Sequence, residues 1–284
     1  MKSRALTIAL GVVCAGLGVA LGAAVTAAPF AWVSNEKSGT MSIIDVATDT
    51  VVGEAPVGKR PRGTAASKDG KQLYVSDQPA NALQVVDVAS RKVTSTIVLG
   101  ESPEGVYRSP DGQWVTVAVE EDNSVHFIST ASGKREFQVK TAGTNPEHAV
   151  FSPDSKWVYV SAEEAEDVDI IDVAARKQVA SVKVGKRPRG IGFTPDGKLA
   201  YVACELANQV HVIDTASRKV VAVIPAGVRS NGVAVHPSGK TVFITNGGDG
   251  NVSVIDVATQ KITKTIAVGQ RPWYVLRGRA GRWR

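Results

Sequence analysis

The chain has 284 residues, of which 43% are hydrophobic, 6% are aromatic and 27 are glycine. This composition provides for a sizeable core, favours many short strands joined by turns, and excludes a protein built from long helices. The formal net charge of +6 includes six basic residues in the first four and last eight positions, and the other 27 Lys and Arg balance 27 Asp and Glu. A neutral body excludes a general electrostatic attraction to nucleic acid.

Residues 1–28 have the three parts of a secretory signal. A basic start, MKSR, precedes the apolar stretch ALTIALGVVCAGLGVALGAAV, and the small residues of TAAP follow it. This order predicts cleavage after Ala27 or Ala28, and a periplasmic or secreted protein that leaves the membrane once the signal is removed. The alternative is an uncleaved anchor, because about 20 apolar residues are enough to cross a bilayer.

The chain between residues 29 and 276 repeats one pattern. The heptapeptide VGKRPRG occurs at Val57–Gly63 and again at Val184–Gly190. A five-residue motif also recurs: two apolar residues, then Asp, then Val or Thr, then Ala. It begins at Ile43, Val85, Ile170, Val212 and Val254, and a degenerate copy begins at Phe127. The glycines that open the loops are Gly58, Gly100, Gly143, Gly185, Gly227 and Gly269, which are 42 or 43 residues apart. A period of this length is typical of a β-propeller, in which each repeat forms a blade of four short strands.

The repeat that follows the second heptapeptide shows the four predicted strands of one blade. From the innermost to the outermost, they are Ile191–Pro195, Leu199–Glu205, Val210–Asp214 and Val220–Gly227. The turn Pro195–Lys198, PDGK, is predicted because Pro fixes φ, Asp bonds to the local backbone and Gly adopts a left-handed conformation. Each blade is apolar on both faces, so it buries them only by stacking against two neighbours.

The ends of the repeat region predict how the ring closes. Phe30–Val57 contains the outer three strands of a blade, and Arg271–Leu276 matches an innermost strand. We therefore predict an all-β propeller of six four-stranded blades, closed by pairing of the C-terminal strand with the N-terminal strands. The alternative is seven blades with an incomplete last copy. Residues 277–284, RGRAGRWR, lack the turn signature and are predicted to be a disordered basic tail.

Two segments carry a resemblance to a known repeat. They are WVSNEKSGTMSIIDVATDTVVGEAPVGKRPRG at residues 32–63 and FITNGGDGNVSVIDVATQKITKTIAVGQRPW at residues 243–273. Both resemble the YVTN-family β-propeller repeat, and the fit extends over about residues 30–276. Together with the export signal, they also resemble the propellers associated with pyrroloquinoline-quinone-dependent catabolism. The resemblance implies the fold and an association with a periplasmic quinoprotein dehydrogenase system, and it supplies no catalytic residues to transfer.

The sequence offers few groups for catalysis. It has no P-loop, no G-x-S-x-G, no H-E-x-x-H and no C-x-x-C. His148 follows the loop TNPE near the predicted channel mouth, and it is the candidate for ligand binding or proton transfer. His126 and His211 share one position on the third strand of two blades and are predicted to be structural, whereas His236 lies beside a predicted turn. We therefore predict no catalytic residue and no metal ion.

Departures from the repeat point to one face of the wheel. One position after each loop proline, or after Ser230, the copies carry Arg62, Glu104, Glu147, Arg189, Asn231 and Trp273, which we call the mouth ring. Just past the second strand they carry Glu36, Gln78, Glu120, Glu163, Glu205 and Gly247, which we call the collar. One interpretation is that these charges pair across neighbouring blades and do nothing else. The other is a recognition face, in which Arg62 and Arg189 contact an anion and Trp273 anchors a partner.

These features favour an exported, monomeric, non-catalytic binding or scaffold propeller without a cofactor of its own. The mouth ring and His148 are predicted to recognise a protein partner or a small anionic ligand. The first alternative is a propeller enzyme of the lactonase or redox type, with a metal or cofactor held by Glu147, His148 and the collar. The second is surface adhesion or nucleic-acid binding through the arginine-rich loops and tail.

Overall fold

A computed structural model describes residues 30–274. The predicted signal at 1–28, the predicted tail at 277–284, and Val275 and Leu276 of the predicted closing strand lie outside the described residues. Apart from one short 3-10 helix, Gln78–Ala80, the regular structure between residues 30 and 274 consists of strands. No helix in this part of the chain has the length and apolar character needed to cross a bilayer.

The strands form six antiparallel sheets in chain order, which we number as blades 1 to 6. Blade 1 contains β1 (Phe30–Asn35), β2 (Thr40–Asp45) and β3 (Thr50–Pro56). Blade 2 contains β4 (Pro61–Ala66), β5 (Gln72–Asp77), β6 (Ala82–Asp87) and β7 (Lys92–Val98), and blade 3 contains β8 (Pro103–Arg108), β9 (Trp114–Val119), β10 (Ser124–Ser129) and β11 (Lys134–Lys140). Blade 4 contains β12 (Pro146–Phe151), β13 (Trp157–Ala162), β14 (Asp167–Asp172) and β15 (Lys177–Lys183). Blade 5 contains β16 (Pro188–Phe193), β17 (Leu199–Cys204), β18 (Gln209–Asp214) and β19 (Lys219–Pro225), and blade 6 contains β20 (Ser230–Val235), β21 (Thr241–Asn246), β22 (Asn251–Asp256) and β23 (Lys261–Ala267).

The segment Arg271–Tyr274 occupies the place of the next innermost strand after blade 6. In blade 6, the Thr245 hydroxyl donates to the Trp273 carbonyl at 2.8 Å. An equivalent bond joins blade 2 to blade 3, where the Ser76 hydroxyl donates to the Glu104 carbonyl at 2.6 Å. The prediction of a six-bladed propeller is confirmed, and the alternative of seven blades is wrong. Among residues 30–274, blades 2 to 6 each have four strands, and Arg271–Tyr274 lies where the fourth strand of blade 1 is expected. The pairing of this closing strand with the N-terminal strands stays a prediction.

The core lies between the blades rather than within them. The second and third strands are buried on both faces, as in β9 (WVTVAV) and β14 (DVDIID), so a few polar residues such as Asp169 are buried with the apolar ones. One cluster joins Tyr74 and Leu83 of blade 2 to Val106 and Val117 of blade 3, and comparable clusters lie at other blade boundaries. Stacking around the ring therefore supplies the hydrophobic burial that a single blade lacks.

Glycine allows the innermost strands to approach one another closely. A Cβ added to Gly190 would lie 2.5 Å from the Asn231 carbonyl oxygen of the next blade. Gly63, Gly105 and Gly232 are equally close to backbone oxygens of their neighbours. This position directly follows the mouth-ring residue, and only in blade 4 and in the closing segment does it carry a side chain, His148 or Tyr274. Both side chains belong to the site described next.

Candidate functional site

The mouth ring brings four charged residues into one contact network at the end of the innermost strands. Arg62 Nε lies 2.7 Å from Glu104 Oε2, and Arg62 Nη2 lies 3.9 Å from Glu147 Oε1. Arg189 Nη1 lies 2.6 Å from the same oxygen of Glu147. Four blades thus meet through side chains at this end of the channel, which we call the mouth face.

Arg189 is enclosed by carboxylates on all sides. Besides Glu147, its Nη2 contacts Glu163 Oε1 at 2.8 Å and its Nε contacts Glu205 Oε2 at 3.1 Å. The residue is only 5% exposed. Because each guanidinium nitrogen already has a carboxylate partner and the side chain is nearly enclosed, Arg189 is poorly placed to contact an external anion. Arg62 is likewise paired, so the structure realises the cross-blade pairing that the first interpretation of the mouth ring describes.

Carboxylates outnumber the buried arginines in this network. Oxygens of Glu120, Glu147 and Glu163 lie within 4.8 Å of one another. Burial raises the pKa values of Glu104 and Glu163, and the charge of Glu147 raises both further against the opposing arginines. Three carboxylates at this spacing have the chemistry of a hard-cation site. Glu147 and Glu163, however, already use oxygens on Arg189, so the arrangement serves first as an ion-pair network.

His148 lies just beneath the mouth ring and joins three parts of the wheel. Its Nδ1 is 2.7 Å from the Tyr107 hydroxyl of blade 3, and its Nε2 is 3.1 Å from the Tyr274 hydroxyl. The closing segment and blade 4 are three positions apart in a ring of six, so Tyr274 reaches across the channel. Although about half of the Tyr274 surface is exposed, its hydroxyl meets a histidine that is 2% exposed.

The Tyr107–His148–Tyr274 chain contains a neutral imidazole near neutral pH. One tyrosine donates to the unprotonated ring nitrogen, and the ring N–H donates to the other tyrosine. Burial, followed by the charges of Arg189 and Arg62, lowers the pKa of His148 to about 3. Burial raises the pKa values of both tyrosines, so all three groups are uncharged near neutral pH. The chain therefore closes the channel with neutral groups.

Replacing His148 with Asn is expected to reduce the acid sensitivity of the fold. The folded pKa of about 3 is below the unfolded value, so the unfolded state takes up the proton first. The stability contribution is present above the unfolded pKa of about 6.5 and is lost as pH falls toward the folded pKa, by up to about 1.4 kcal/mol per pH unit. Denaturant unfolding at pH 7 and pH 5 should show a larger loss for the wild-type protein than for His148→Asn.

Tyr274→Phe is the matched control for this prediction. It breaks one hydrogen bond of the same chain but keeps the buried histidine, so it should lower stability at both pH values and retain the wild-type pH slope. Equal slopes in the wild-type protein and His148→Asn would show that His148 titrates in the folded protein much as it does in the unfolded chain.

The remaining mouth-ring residues differ from the charged four. Trp273 is 38% exposed, and the guanidinium carbons of Arg271 and Arg189 lie 5.0 and 6.0 Å from its ring centroid. Asn231 is buried, and its Oδ1 has no hydrogen-bond partner among residues 30–274. Among the six mouth-ring residues, Trp273 is therefore the exposed one.

Two families match parts of this β-propeller. The family described as YNCE-like beta-propeller matches residues 9–111, and the family described as Cytochrome D1 heme domain matches residues 111–232. Each match covers less than half of the chain. A search among curated proteins gave no match.

Solved structures show the same fold. Hydrazine synthase from Kuenenia stuttgartiensis is similar with a TM-score of 0.82 and 23% identity, over 89% of this chain and 87% of that one. A functionally unknown protein from Desulfotomaculum acetoxidans DSM 771 is similar with a TM-score of 0.75 and 18% identity, over 86% of this chain and 82% of that one. At these identities the similarity concerns the fold alone.

Proposed function

We propose that this protein is an exported, non-catalytic β-propeller that recognises a protein partner or a small anionic ligand on its mouth face. One observation carries the proposal: the charged residues and the histidine buried at the channel mouth pair with neighbouring side chains, while Trp273 at its rim is exposed. Arg189 has three carboxylate partners, and His148 has a tyrosine on each nitrogen. A general acid, base or nucleophile must instead reach the substrate.

The rim around Trp273 has the character of a recognition surface. Tryptophan and arginine are enriched among the residues that contribute most to binding, and here an exposed tryptophan lies beside Arg271. Export is inferred from the signal-like residues 1–28. The association with a periplasmic quinoprotein dehydrogenase system rests on the sequence resemblance, and it names the first partner to test.

Site-specific photo-crosslinking tests the proposal. Benzoylphenylalanine is introduced in place of Trp273, and in a second protein in place of Lys198, which is 79% exposed in a turn at the opposite end of the innermost strands. Illumination of intact cells should give a discrete crosslinked partner from Trp273 but not from Lys198. A partner that crosslinks only from Lys198 would place recognition on the other face and contradict the proposal.

A second candidate, a redox propeller, is favoured by the match of residues 111–232 to a haem domain. A haem iron needs an accessible axial ligand such as His, Cys, Met or Tyr. The histidine of the channel mouth does not fit this need, because both His148 nitrogens are bonded to tyrosines in a buried site. The geometry therefore favours the binding proposal.

Titration with haem separates the two candidates. We expect the absorption spectrum to remain that of haem without a protein ligand, because binding through either His148 nitrogen requires loss of its hydrogen bond to a tyrosine in a buried site. A spectrum of histidine-ligated haem that disappears in His148→Asn would favour the redox candidate over the binding proposal.

A further inference from the structure

A repeated ion pair on the mouth face is missing its acidic partner at one blade. Two residues before the mouth-ring residue, four loops carry arginine: Arg60, Arg187, Arg229 and Arg271. The first three reach back to the collar glutamate of the preceding blade. Arg60 Nη2 lies 2.6 Å from Glu36, Arg187 Nε contacts Glu163, and Arg229 Nη1 lies 3.5 Å from Glu205.

Arg271 has the same place relative to blade 6, whose collar residue is Gly247. The collar backbone keeps the repeat geometry, since the Gly247 amide donates to the Arg229 carbonyl as the Glu205 amide donates to the Arg187 carbonyl. Arg271 makes no ion pair within residues 30–274, and its guanidinium lies over Trp273 instead. Arg271 thus lacks the collar carboxylate that its three counterparts contact.

A cavity of about 590 Å³ opens at this position. It is lined by Arg229, Gln270, Arg271 and the loop 247–250. Asp249 also belongs to the lining, and its Oδ2 accepts the Val228 amide at 2.8 Å. Arg229 already contacts Glu205, so Arg271 is the lining cation that has no carboxylate partner among residues 30–274.

We propose that this cavity binds the carboxylate of a small organic acid, which takes the place of the missing collar glutamate. The carboxylate accepts charge-assisted hydrogen bonds from Arg271, with Arg229 beside it. The exposed ring of Trp273, next to Arg271, contacts an apolar or aromatic body attached to the carboxylate. The inference rests on the proposed function and assigns its anion site to Arg271 rather than to the paired Arg62 and Arg189.

Restoring the collar glutamate gives a sharp test. A Cβ added to Gly247 would have its nearest neighbour, the Pro272 carbonyl oxygen, at 3.5 Å, which is an ordinary contact. Gly247→Glu therefore fits without backbone strain and places a tethered carboxylate at the cavity. In this variant the introduced carboxylate should pair with Arg271 and occupy the site, while Arg229 and Arg271 are both retained.

Calorimetric titration with sodium benzoate, and with neutral benzamide as its control, measures the site in the full chain. Benzoate should bind saturably with a Kd on the order of 1 mM, as expected for a small fragment, and benzamide should not. Gly247→Glu and Arg271→Gln should each weaken benzoate binding by about tenfold or more, because one blocks and the other removes the cation. Arg60→Ala, which removes an arginine already paired with Glu36, should bind benzoate like the wild-type protein.

Thermal unfolding shows that each variant is folded, and Gly247→Glu is expected to have an unchanged or higher Tm. Equal binding of benzoate and benzamide, wild-type affinity in Gly247→Glu or Arg271→Gln, or no benzoate binding at all would each overturn the carboxylate site. If the mouth face recognises a protein partner without the carboxylate site, the crosslink from Trp273 should still be observed in each of these cases. Loss of that crosslink with benzoate binding retained would instead contradict only the partner proposal.

Discussion

Replacing Arg189 with methionine is expected to lower the free energy of unfolding by about 3–5 kcal/mol. The variant leaves Glu147, Glu163 and Glu205 buried without the guanidinium that now contacts all three. An uncompensated charge in a poorly solvated site is far more costly than the net value of the ion pair. Denaturant unfolding at pH 7.5, followed by circular dichroism, measures the difference.

The pH dependence of Arg189→Met identifies the cause. Without the guanidinium, the folded pKa of Glu163, which burial already raises, moves further above the unfolded value, so the penalty is fully present above the folded pKa. It should shrink as pH falls through the folded pKa, because the carboxyl groups become neutral. Arg60→Ala is the control: this exposed arginine also pairs with a glutamate and should cost no more than about 1 kcal/mol. A deficit that grows on acidification would contradict the explanation.

Gly190→Ala is expected to destabilise the protein by about 1–3 kcal/mol. The added methyl group would lie 2.5 Å from the Asn231 carbonyl oxygen, and the obstacle is the backbone of the next blade rather than a flexible side chain. The innermost strands of two blades must separate to make room. Thermal unfolding of purified protein should show a clearly lower Tm.

Gly269→Ala separates this steric effect from the general cost of replacing glycine. A Cβ at Gly269 has no atom of residues 30–274 within 4 Å, and its substitution should be neutral or slightly stabilising because alanine restricts the unfolded chain. Similar losses in both variants would show that close contact between blades is not what requires glycine at position 190.

The repeat made the fold predictable from sequence, because spacing and turn chemistry are local properties. The spacing of Gly58 and its counterparts predicts six units, and the Asp-Gly turns predict where strands pair. The mouth ring was also predictable, since equivalent positions in a closed ring must face the same channel. Arg62, Glu104, Glu147 and Arg189 indeed contact one another.

The partners within the ring were harder to predict, because they depend on distances across the wheel. The sequence leaves open whether Arg189 contacts a ligand or carboxylates, and only the convergence of blades 4 and 5 shows three glutamates around it. Tyr107 was missed altogether. Its counterparts in other blades include Ala65 and Gly192, and this exception to the repeat, beside the exception at His148, was the available signal.

The bridge from Tyr274 to His148 also has a consequence for the order in which the protein forms. The two residues are 126 positions apart, and the tyrosine is synthesised after every strand described here. A nascent chain can therefore assemble successive blades while the wheel still has two unpaired ends. Contacts between such distant residues form late, because the chain between them must first be ordered. The ring of blades therefore stays unclosed until the Tyr274–His148 contact forms. An unclosed ring is compatible with transport of the chain before it folds completely.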